Sequence, residues 1–316
     1  MADMKAAIVQ HRGDRGSLHD APIPQPGPHD VLVRVTAASV NPIDWKMRDD
    51  PDSQLPFVLG QDFAGVVSET GNRVAKYREG ERVFGIARDH GAFAEYTLVP
   101  EDDHRQPIAK IPDGVGDADA AALPTAGLTA LASMEALRVR AATTVLILGA
   151  TGGVGGFAVQ MAHGRGARVI ATGGAGHEAL AKELGADDFI AYDRGDLVDS
   201  IHAAYPNGIN AVLDLVDNAD AIKRIADIMS AEGLIVSTIG AADTNWFAQR
   251  KLSATNISMA NTPQSSHAGL RQLLELLQSG TISVRIVAEW PLSETAEALA
   301  QSQAGSVDGK LVITVA

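Results

Sequence analysis

The residues whose types and spacing most clearly indicate chemistry are the glycines of segment 143–156, which reads TTVLILGATGGVGG. The segment begins as an apolar, β-branched run and continues beyond the glycines in a helical pattern. A strand that enters a helix through glycines leaves backbone N–H donors at the helix start open to an anionic pyrophosphate. The pattern therefore predicts a dinucleotide site, although a glycine turn alone also fits tight packing of a strand against a helix. The predicted contacts are Gly149, Ala150, Thr151, Gly152, Gly153, Val154 and Gly155.

In such a domain, the residues at the end of the second strand determine whether the site binds the adenosine ribose of NAD or the 2′-phosphorylated ribose of NADP. An acid there binds both ribose hydroxyls of NAD, whereas a base pairs with the 2′-phosphate of NADP. Residues 171–177 read ATGGAGH and contain neither. Without a carboxylate there is no repulsion against NADP, and Thr172, His177 and the backbone amides of Gly173 and Gly174 can hydrogen-bond a phosphate. We therefore predict NADPH as the coenzyme and keep NADH as the alternative; His177 also fits a solvent-exposed position at a helix start.

The cysteine and histidine content of the chain limits which metal sites and nucleophiles it can form. It contains no cysteine, which excludes disulfides, thiolate nucleophiles and cysteine-containing zinc sites. None of the nine histidines lies three or four residues from another, so we predict no metal site. The lack of cysteine and the charges within residues 1–20, where a signal peptide is apolar, favour a cytoplasmic location.

Two kinds of segment position these residues. Short alternating apolar runs, separated by glycines and prolines, fill the first third and predict a compact barrel-like β domain; they are residues 31–36, 63–68, 82–86 and 94–99. From about Leu123, strands alternate with helix-like stretches such as residues 197–205 and 220–230. This alternation predicts a parallel sheet with helices on both faces. Residues 310–315 return to a strand pattern.

Length and charge narrow the possible partners. At 316 residues the chain suggests two domains, and its 26 basic against 39 acidic residues give a net charge of −13. Such a surface repels phosphate backbones, and 4% aromatic residues leave little for base stacking. Residues 141–162 carry no charge and are long enough to span a bilayer, but their many glycines favour a strand, a turn and a buried helix. We therefore predict neither a nucleic-acid nor a membrane partner.

With these residues in view, the chain resembles the medium-chain dehydrogenases/reductases, and among them the zinc-independent, zeta-crystallin-like quinone oxidoreductases. The similarity runs nearly end to end. Besides the glycine turn it rests on NPIDWK at 41–46, LGQDFAGVV at 59–67, GERVFG at 80–85 and LPTAGLTA at 123–130. The resemblance implies an α/β fold with a GroES-like, β-rich catalytic domain (residues 1–122 and 265–316), a doubly wound Rossmann domain (residues 123–264) and an active site in the cleft.

The resemblance also argues against a catalytic zinc ion. Asn41 stands where zinc alcohol dehydrogenases have their first ligand cysteine, Gln61 stands before Asp62 in place of a ligand histidine, and Thr125 stands at the third ligand position. Amides and hydroxyls are poor zinc ligands beside thiolate and imidazole. Without a Lewis acid, hydride reaches only electron-poor acceptors or those whose negative charge is held by hydrogen bonds. Quinones and conjugated enones have this chemistry.

Further site residues follow from the resemblance. It implies that Asn41, Thr125 and the loop Ile239-Gly240-Ala241 frame the nicotinamide. It places Tyr192 near the adenosine ribose, Asp217 beside the coenzyme and Lys310 close to the cleft. The sequence alone also allows other roles for two of these residues. Tyr192 is then an aromatic residue of an edge strand, and Asp217 is the N-cap of the helix-like stretch that follows it.

Trp45 replaces a tyrosine that many relatives carry. An indole has no acidic proton near neutral pH, so we interpret Trp45 as an apolar wall of the acceptor pocket, with protons coming from water or from Lys46. Asn41, Trp45 and Thr125 are therefore the predicted residues of the catalytic centre.

The activity that the resemblance implies is NADPH-dependent reduction of quinones or α,β-unsaturated carbonyls. Two alternatives stay open, which are an enoyl-thioester reductase and a coenzyme-binding, non-enzymatic protein of crystallin-like or RNA-binding type. The net charge of −13 argues against RNA. The resemblance further implies a homodimer, in which residues 255–260, TNISMA, form an exposed edge strand that pairs across the interface.

Overall fold

The computed structural model describes residues 2–87, 91–305 and 307–315. The chain forms two compact units. The first contains residues 1–128, 265–275 and 284–316, and the second contains residues 129–264 and 276–283. Compared with the predicted division, residues 123–128 belong to the first unit and residues 276–283 to the second.

Strands and helices are numbered in chain order over the described ranges. The strands are β1 Asp3–Val9, β2 Ser17–Pro22, β3 Asp30–Val40, β4 Phe57–Val58, β5 Asp62–Thr70, β6 Arg82–Ile86, β7 Tyr96–Pro100, β8 Ile108–Lys110, β9 Thr144–Leu148, β10 Arg168–Gly173, β11 Asp188–Ala191, β12 Ile209–Asp214, β13 Met229–Ser237, β14 Ser253–Asn256, β15 Ile286–Pro291 and β16 Lys310–Thr314. The helices are α1 Pro42–Asp49, α2 Asp117–Ala122, α3 Pro124–Ala136, α4 Gly153–Gly164, α5 Glu178–Glu183, α6 Leu197–Ala204, α7 Ala219–Arg224, α8 Thr244–Ala248, α9 His267–Gln278 and α10 Thr295–Ala304.

The first unit is built on two β-sheets. One has the strand order β2-β1-β4, and the other has the order β15-β16-β3-β5-β6-β8 with β7 paired to β3. Valines 31, 33 and 35 of β3 are at most 1% exposed, but Leu32 is only 4% exposed and residues 37–40 are all buried, so β3 is buried more fully than the predicted strand with one buried face. Strand β16 pairs antiparallel with β3, with Leu311 opposite Val40, so the C-terminal segment returns to this unit and brings Lys310 to the end of β3.

The second unit contains one parallel sheet with the strand order β11-β10-β9-β12-β13-β14. The order reverses between β9 and β12, and in doubly wound sheets ligands bind at the carboxyl ends of the strands on either side of such a point. The prediction of a doubly wound parallel sheet together with a separate β-rich unit is confirmed. The charge-free segment 141–162 forms β9, the glycine turn and most of α4. Within the described residues, no helix has both the length and the apolar character needed to cross a membrane.

Two sequence predictions of elements need correction. The stretch 220–230 is not one helix, because α7 ends at Arg224, a 3₁₀ turn covers Ile225–Ile228 and β13 begins at Met229. Ile222, Ile225 and Ile228 are all buried, and within the 3₁₀ turn Ile225 and Ile228, three residues apart, lie on the same side.

The predicted edge strand 255–260 is also shorter in the structure. Strand β14 does lie at one end of the sheet but stops at Asn256, and Met259–Asn261 form a 3₁₀ turn. The side chain of Asn256 bonds both the N–H and the C=O of Ala242, and Met259 is buried. These contacts turn the chain inward after β14.

Candidate functional site

The glycine turn of the second unit has the geometry of a dinucleotide cradle. Gly149 has a φ of +80°, which side-chain-bearing residues rarely adopt. A Cβ at Gly155 would lie 2.1 Å from the carbonyl oxygen of Gly149, so only glycine lets α4 start this close to the turn. Gly152 is the N-cap of α4, with φ −71° and ψ 177°. Because the first N–H groups of a helix have no acceptor within the helix, these residues fit an anionic pyrophosphate.

The loop after β10 lies beside this turn. Thr172 is buried near the end of β10, and the imidazole Nδ1 of half-buried His177 is 3.1 Å from Oγ1 of Thr151. His177 thus contacts the glycine turn instead of extending into solvent. Tyr192 is 62% exposed and follows β11; a Cβ on Gly174 would lie 3.6 Å from its hydroxyl oxygen. The structure therefore brings the predicted residues of the turn, the loop and Tyr192 into one region of the second unit.

Asp193 is a residue of this region that sequence reasoning misses. Its two carboxylate oxygens accept hydrogen bonds from the N–H of Ala175, at 3.1 and 3.2 Å. The sequence argument concerns an acid at the end of the second strand, β10, whereas Asp193 follows the third strand, β11. The sequence signal that could have identified it is an acid directly after Tyr192, at the carboxyl end of β11, the strand that pairs with β10.

Asp214 and Ser237 hold two further loops that carry predicted residues. Asp214 is fully buried at the end of β12, and its Oδ1 accepts from the N–H of Asp217 at 2.8 Å. Its Oδ2 accepts from Oγ of Ser237 at 2.7 Å, and that oxygen in turn accepts from the N–H of Ala241 at 3.1 Å. The loop after β12 and the loop 239–241 after β13 are therefore fixed by one buried carboxylate. The sequence signal is a polar residue that ends a buried apolar strand.

Asp217 does not cap the helix that follows it. The cap of α7 is Asn218, whose side chain accepts from the N–H groups of Asp220 and Ala221. Burial raises the pKa of the Asp217 carboxyl, and the negative charge of Asp214 raises it further. The exposed Ile239 and Gly240 and the half-buried Ala241 lie in the loop held by Ser237.

Asp62 is the centre of a buried polar network in the first unit. Its Oδ1 accepts from Oγ1 of Thr125 at 2.6 Å, and its Oδ2 accepts from the N–H of Thr125 at 3.0 Å and from Nδ2 of Asn41 at 2.8 Å. Asp62 is fully buried, and burial raises its pKa while the positive charge of Lys310 opposes that shift. The network links the end of β3, the start of β5 and the start of α3.

Lys310 completes this network from the C-terminal strand. Its Nζ donates to Oδ1 of Asn41 at 2.6 Å and to the carbonyl oxygen of Val40 at 3.0 Å. Burial lowers the pKa of Lys310, and the carboxyl groups of Asp62 and Asp44 oppose that change when they are ionised. Asn41 is 2% exposed, with its amide oxygen bonded to Lys310 and its amide nitrogen bonded to Asp62 and to the carbonyl of Ser39. The orientation of the Asn41 amide is therefore fixed from both sides.

Asp44 lies one turn into α1 and forms a capping box with Asn41. Its Oδ2 accepts from the N–H of Asn41 at 2.7 Å, whereas its Oδ1 is buried and has no hydrogen-bond partner among the described residues. Burial raises the pKa of Asp44 to about 8, with the charge of Asp62 adding to the effect and the Asn41 N–H and Lys310 opposing it. A cavity of about 10 Å³ lies against Asp44, Met47 and Gln61. Burial therefore favours the protonated, neutral form of the Asp44 carboxyl.

Trp45 and Gln61 are sequence neighbours of two residues of this network, since Trp45 follows Asp44 and Gln61 precedes Asp62. Trp45 is half-buried and packs against the apolar core of the first unit, and its indole Nε1 is buried without an acceptor. The ammonium nitrogen of Lys46 lies 5.5 Å from the centre of the Trp45 ring. Gln61 is 9% exposed and donates to the sulfur of Met47 at 3.4 Å.

Two of the side chains that the resemblance places at ligand positions, Asn41 and Thr125, do not fit a zinc ion. An ammonium group occupies the space beside the amide oxygen of Asn41, 2.6 Å away, and the hydroxyl of Thr125 points at Asp62. Zinc prefers thiolate, imidazole and carboxylate ligands, and a cation beside the amide oxygen repels it. Within the described ranges, no three or more His, Cys, Asp or Glu side chains are grouped so that they could hold a metal ion.

Two family models match the chain, one in its N-terminal part and one in its C-terminal part. The model described as the alcohol dehydrogenase GroES-like domain matches residues 27–113, and the one described as zinc-binding dehydrogenase matches residues 184–313. The solved structure of the quinone oxidoreductase from Coxiella burnetii superimposes with a TM-score of 0.90 at 32% identity, and the alignment covers 100% of both chains. The chain belongs to the medium-chain dehydrogenase/reductase family. Within it, the chain lies in the quinone oxidoreductase branch.

Other members of this family are similar over different lengths. The 2-methylene-furan-3-one reductase of Solanum lycopersicum is 32% identical over 299 residues, which cover 90% of this chain and 71% of the relative. The trans-enoyl reductase tndF of Aspergillus flavipes is 38% identical over 220 residues, 63% of each chain, so the match spans less than two thirds of that enzyme. The mycobacterial Rv1454c, solved in complex with NADPH, has a TM-score of 0.85 at 27% identity over 98% of this chain and 99% of its own. The medium-chain fold and these relatives make the protein an NAD(P)H-dependent oxidoreductase.

Proposed function

We propose that this protein is an NADPH-dependent reductase of quinones and α,β-unsaturated carbonyls that works without a catalytic zinc ion. The observation that carries the proposal is the buried network at the replaced ligand positions, in which the Lys310 ammonium lies 2.6 Å from the amide oxygen of Asn41. Without a metal to polarise the acceptor, hydride transfer needs an acceptor that is already electron-poor. Quinones and conjugated carbonyls meet this requirement.

The coenzyme site is assigned to the second unit, where bound NADPH supplies the hydride. The start of α4 and the glycine turn offer N–H donors for the pyrophosphate. Thr172, His177 and the amides of Gly173 and Gly174 are assigned to the ribose and its 2′-phosphate, because no acid lies within the loop 174–177. The NADPH complex of the similar mycobacterial protein supports this choice of coenzyme.

The remaining coenzyme contacts are assigned to Tyr192, near the adenosine ribose, and to the loops that Asp214 holds. Asp217 and the backbone of residues 239–241 lie on these loops, at the carboxyl ends of β12 and β13. In doubly wound sheets this edge is where ligands bind, so the loops are assigned to the nicotinamide half of the coenzyme.

In the first unit, Asn41, Thr125 and Trp45 are assigned to the reaction centre. Asn41 and Thr125 orient the nicotinamide and the acceptor, and an amide exchanges no proton at neutral pH. Lys310 is 4% exposed and acts through Asn41, so it is a positioning residue. Trp45 forms an apolar wall. A hydroquinone anion takes its proton from water, so quinone reduction needs no side-chain acid.

Enoyl-thioester reduction is the second candidate function. It is favoured by the 38% identity to the trans-enoyl reductase tndF over 63% of this chain. Both candidates share the zinc-free hydride transfer and differ in whether the acceptor carries a thioester tail.

An acceptor screen separates these candidates. Purified protein is incubated with NADPH and a quinone, an alkenal, a cyclic enone or an enoyl-thioester, and NADPH oxidation is followed. We expect kcat/KM to be highest for a quinone or an enone, and the same protein with Gly152→Asp to be inactive with every acceptor. A kcat/KM for the enoyl-thioester about tenfold or more above the others makes the second candidate correct. No oxidation with any acceptor, in protein that binds NADPH, contradicts both.

A homodimer is part of the proposal. Strand β14 lies at one end of the six-stranded sheet, and an exposed strand edge can pair with a second copy. Light scattering during size-exclusion chromatography measures the mass directly; a monomer contradicts this assignment.

A further inference from the structure

The carboxylate of Asp193 lies beside residues 173–177, the loop assigned above to the coenzyme ribose. Both of its oxygens lie within 3.1–3.2 Å of the N–H of Ala175, two residues beyond the end of β10. A Cβ on Gly174 would lie 3.7 Å from Oδ2 of Asp193, in ordinary van der Waals contact. The carboxylate therefore packs along the backbone of residues 174–175, in the same loop as His177.

We infer that Asp193 is a specificity-determining residue that limits the preference for NADPH over NADH. In doubly wound folds, the loop after the second strand contacts the 2′ position of the adenosine ribose, and an acid in that loop excludes the 2′-phosphate. This chain has no acid in the loop, but strand β11 pairs with β10 and brings Asp193 to the same place from the end of the next strand. The inference rests on the proposed dinucleotide site.

Two physical effects follow from this position. The N–H of Ala175 is already bonded to Asp193 and is not available to a 2′-phosphate. In addition, the negative charge of Asp193 repels the phosphate dianion, whereas its oxygens can accept hydrogen bonds from the 2′-hydroxyl of NADH. Each effect disfavours NADPH relative to NADH.

The charge and the loop-holding role of Asp193 can be separated by substitution. Asp193→Asn keeps an oxygen that accepts from Ala175 and removes the negative charge, whereas Asp193→Ala removes both. A matched control is Asp187→Asn, because Asp187 accepts from the N–H of Val169 at 2.8 Å and precedes β11 at the opposite end of the strand. The two asparagine variants therefore change the net charge by the same amount. Each replaces one carboxylate that accepts a hydrogen bond from a backbone N–H.

The test measures the dissociation constants of NADPH and NADH by isothermal titration calorimetry, on the full chain. We expect Asp193→Asn to raise the ratio of NADPH affinity to NADH affinity about tenfold, the change that about 1.4 kcal/mol represents. Asp187→Asn should leave the ratio at the wild-type value. Because Asp193 is exposed, the gain should shrink in high salt, which a loop-holding role alone would not produce.

The outcomes separate this inference from the proposed function. An unchanged ratio in folded Asp193→Asn that still binds both coenzymes overturns the role of Asp193 and leaves the proposed function intact. A ratio that rises only in Asp193→Ala, or equally in Asp187→Asn, also overturns it. If the wild-type protein binds neither NADPH nor NADH, the dinucleotide site itself is wrong, and the inference fails with it.

Discussion

Replacing the buried Asp44 by asparagine should make the protein more stable at high pH. Burial raises the pKa of Asp44 from 3.8 to about 8, and the charge of Asp62 adds to this. Since the folded protein holds this proton to a higher pH than the unfolded chain does, the stability that Asp44 contributes is complete below about pH 4 and is lost as the pH rises to about 8. Asparagine mimics the neutral acid and has no proton to lose.

The raised pKa of Asp44 also gives the expected size of the stability difference between the wild-type protein and Asp44→Asn. At about 1.4 kcal/mol per pH unit, the loss over this window is on the order of 5 kcal/mol. At pH 4 the wild-type protein and Asp44→Asn should differ by about 1 kcal/mol or less, because both side chains are neutral and both can accept from the N–H of Asn41. At pH 8 the variant should be more stable by several kcal/mol, approaching that limit.

Urea unfolding at closely spaced pH values between 4 and 8 measures this difference. Asp62 and Lys310 are present in both proteins and are coupled to Asp44 through charge, so the difference between the two curves measures the titration of Asp44 together with that coupling. The control is Asp113→Asn, which changes an exposed carboxylate in a loop of the same unit and should give a curve parallel to the wild type. Parallel curves for Asp44→Asn as well would refute the assignment of Asp44 as a neutral buried acid.

Three further predictions concern the coenzyme turn and the Asp62 network. Gly152→Asp should abolish NADPH binding in calorimetry while the circular dichroism spectrum is retained, because a carboxylate at the N-cap of α4 repels the pyrophosphate; unchanged affinity contradicts the turn assignment. Lys310→Met should lower the free energy of unfolding by roughly 1.5–3 kcal/mol, because it removes the hydrogen bonds of Nζ to Asn41 and Val40 and the positive charge that favours ionised Asp62, and adding Asp62→Asn should recover part of the loss; additive losses contradict the coupling of the two charges. Asn41→Ala should lower kcat about tenfold to a hundredfold, roughly 1.4–2.7 kcal/mol of lost positioning, without removing a limb of the pH–rate profile; loss of a limb means that Asn41 controls a proton transfer.

The parts of the fold that sequence reasoning predicted correctly depend on local patterns. The turn at Gly149, Gly152 and Gly155 is readable because a β-branched strand, glycines and a helix follow one another within a few residues. The parallel sheet is readable because each strand and helix carries its own periodicity. The family resemblance then named the residues at the replaced ligand positions.

The contacts that the sequence did not reveal join distant segments. Lys310 and Asn41 are 269 positions apart and meet because β16 pairs with β3, so the ammonium beside the Asn41 amide has no local signal. Asp193 reaches Ala175 only because β11 pairs with β10. The buried state of Asp44 is likewise a product of packing, since its sequence position in the first turn of α1 predicts only a capping role.

We propose above that the protein transfers hydride from NADPH to a quinone without zinc. The most direct test measures metal content and NADPH oxidation in one and the same sample, before and after dialysis against a strong chelator. We predict well under one zinc ion per chain and a kcat that is equal in the two states, because the Lys310 ammonium is bonded to the amide oxygen of Asn41 and repels a cation there. One zinc ion per chain, with activity that is lost on chelation and restored by added zinc, would contradict it.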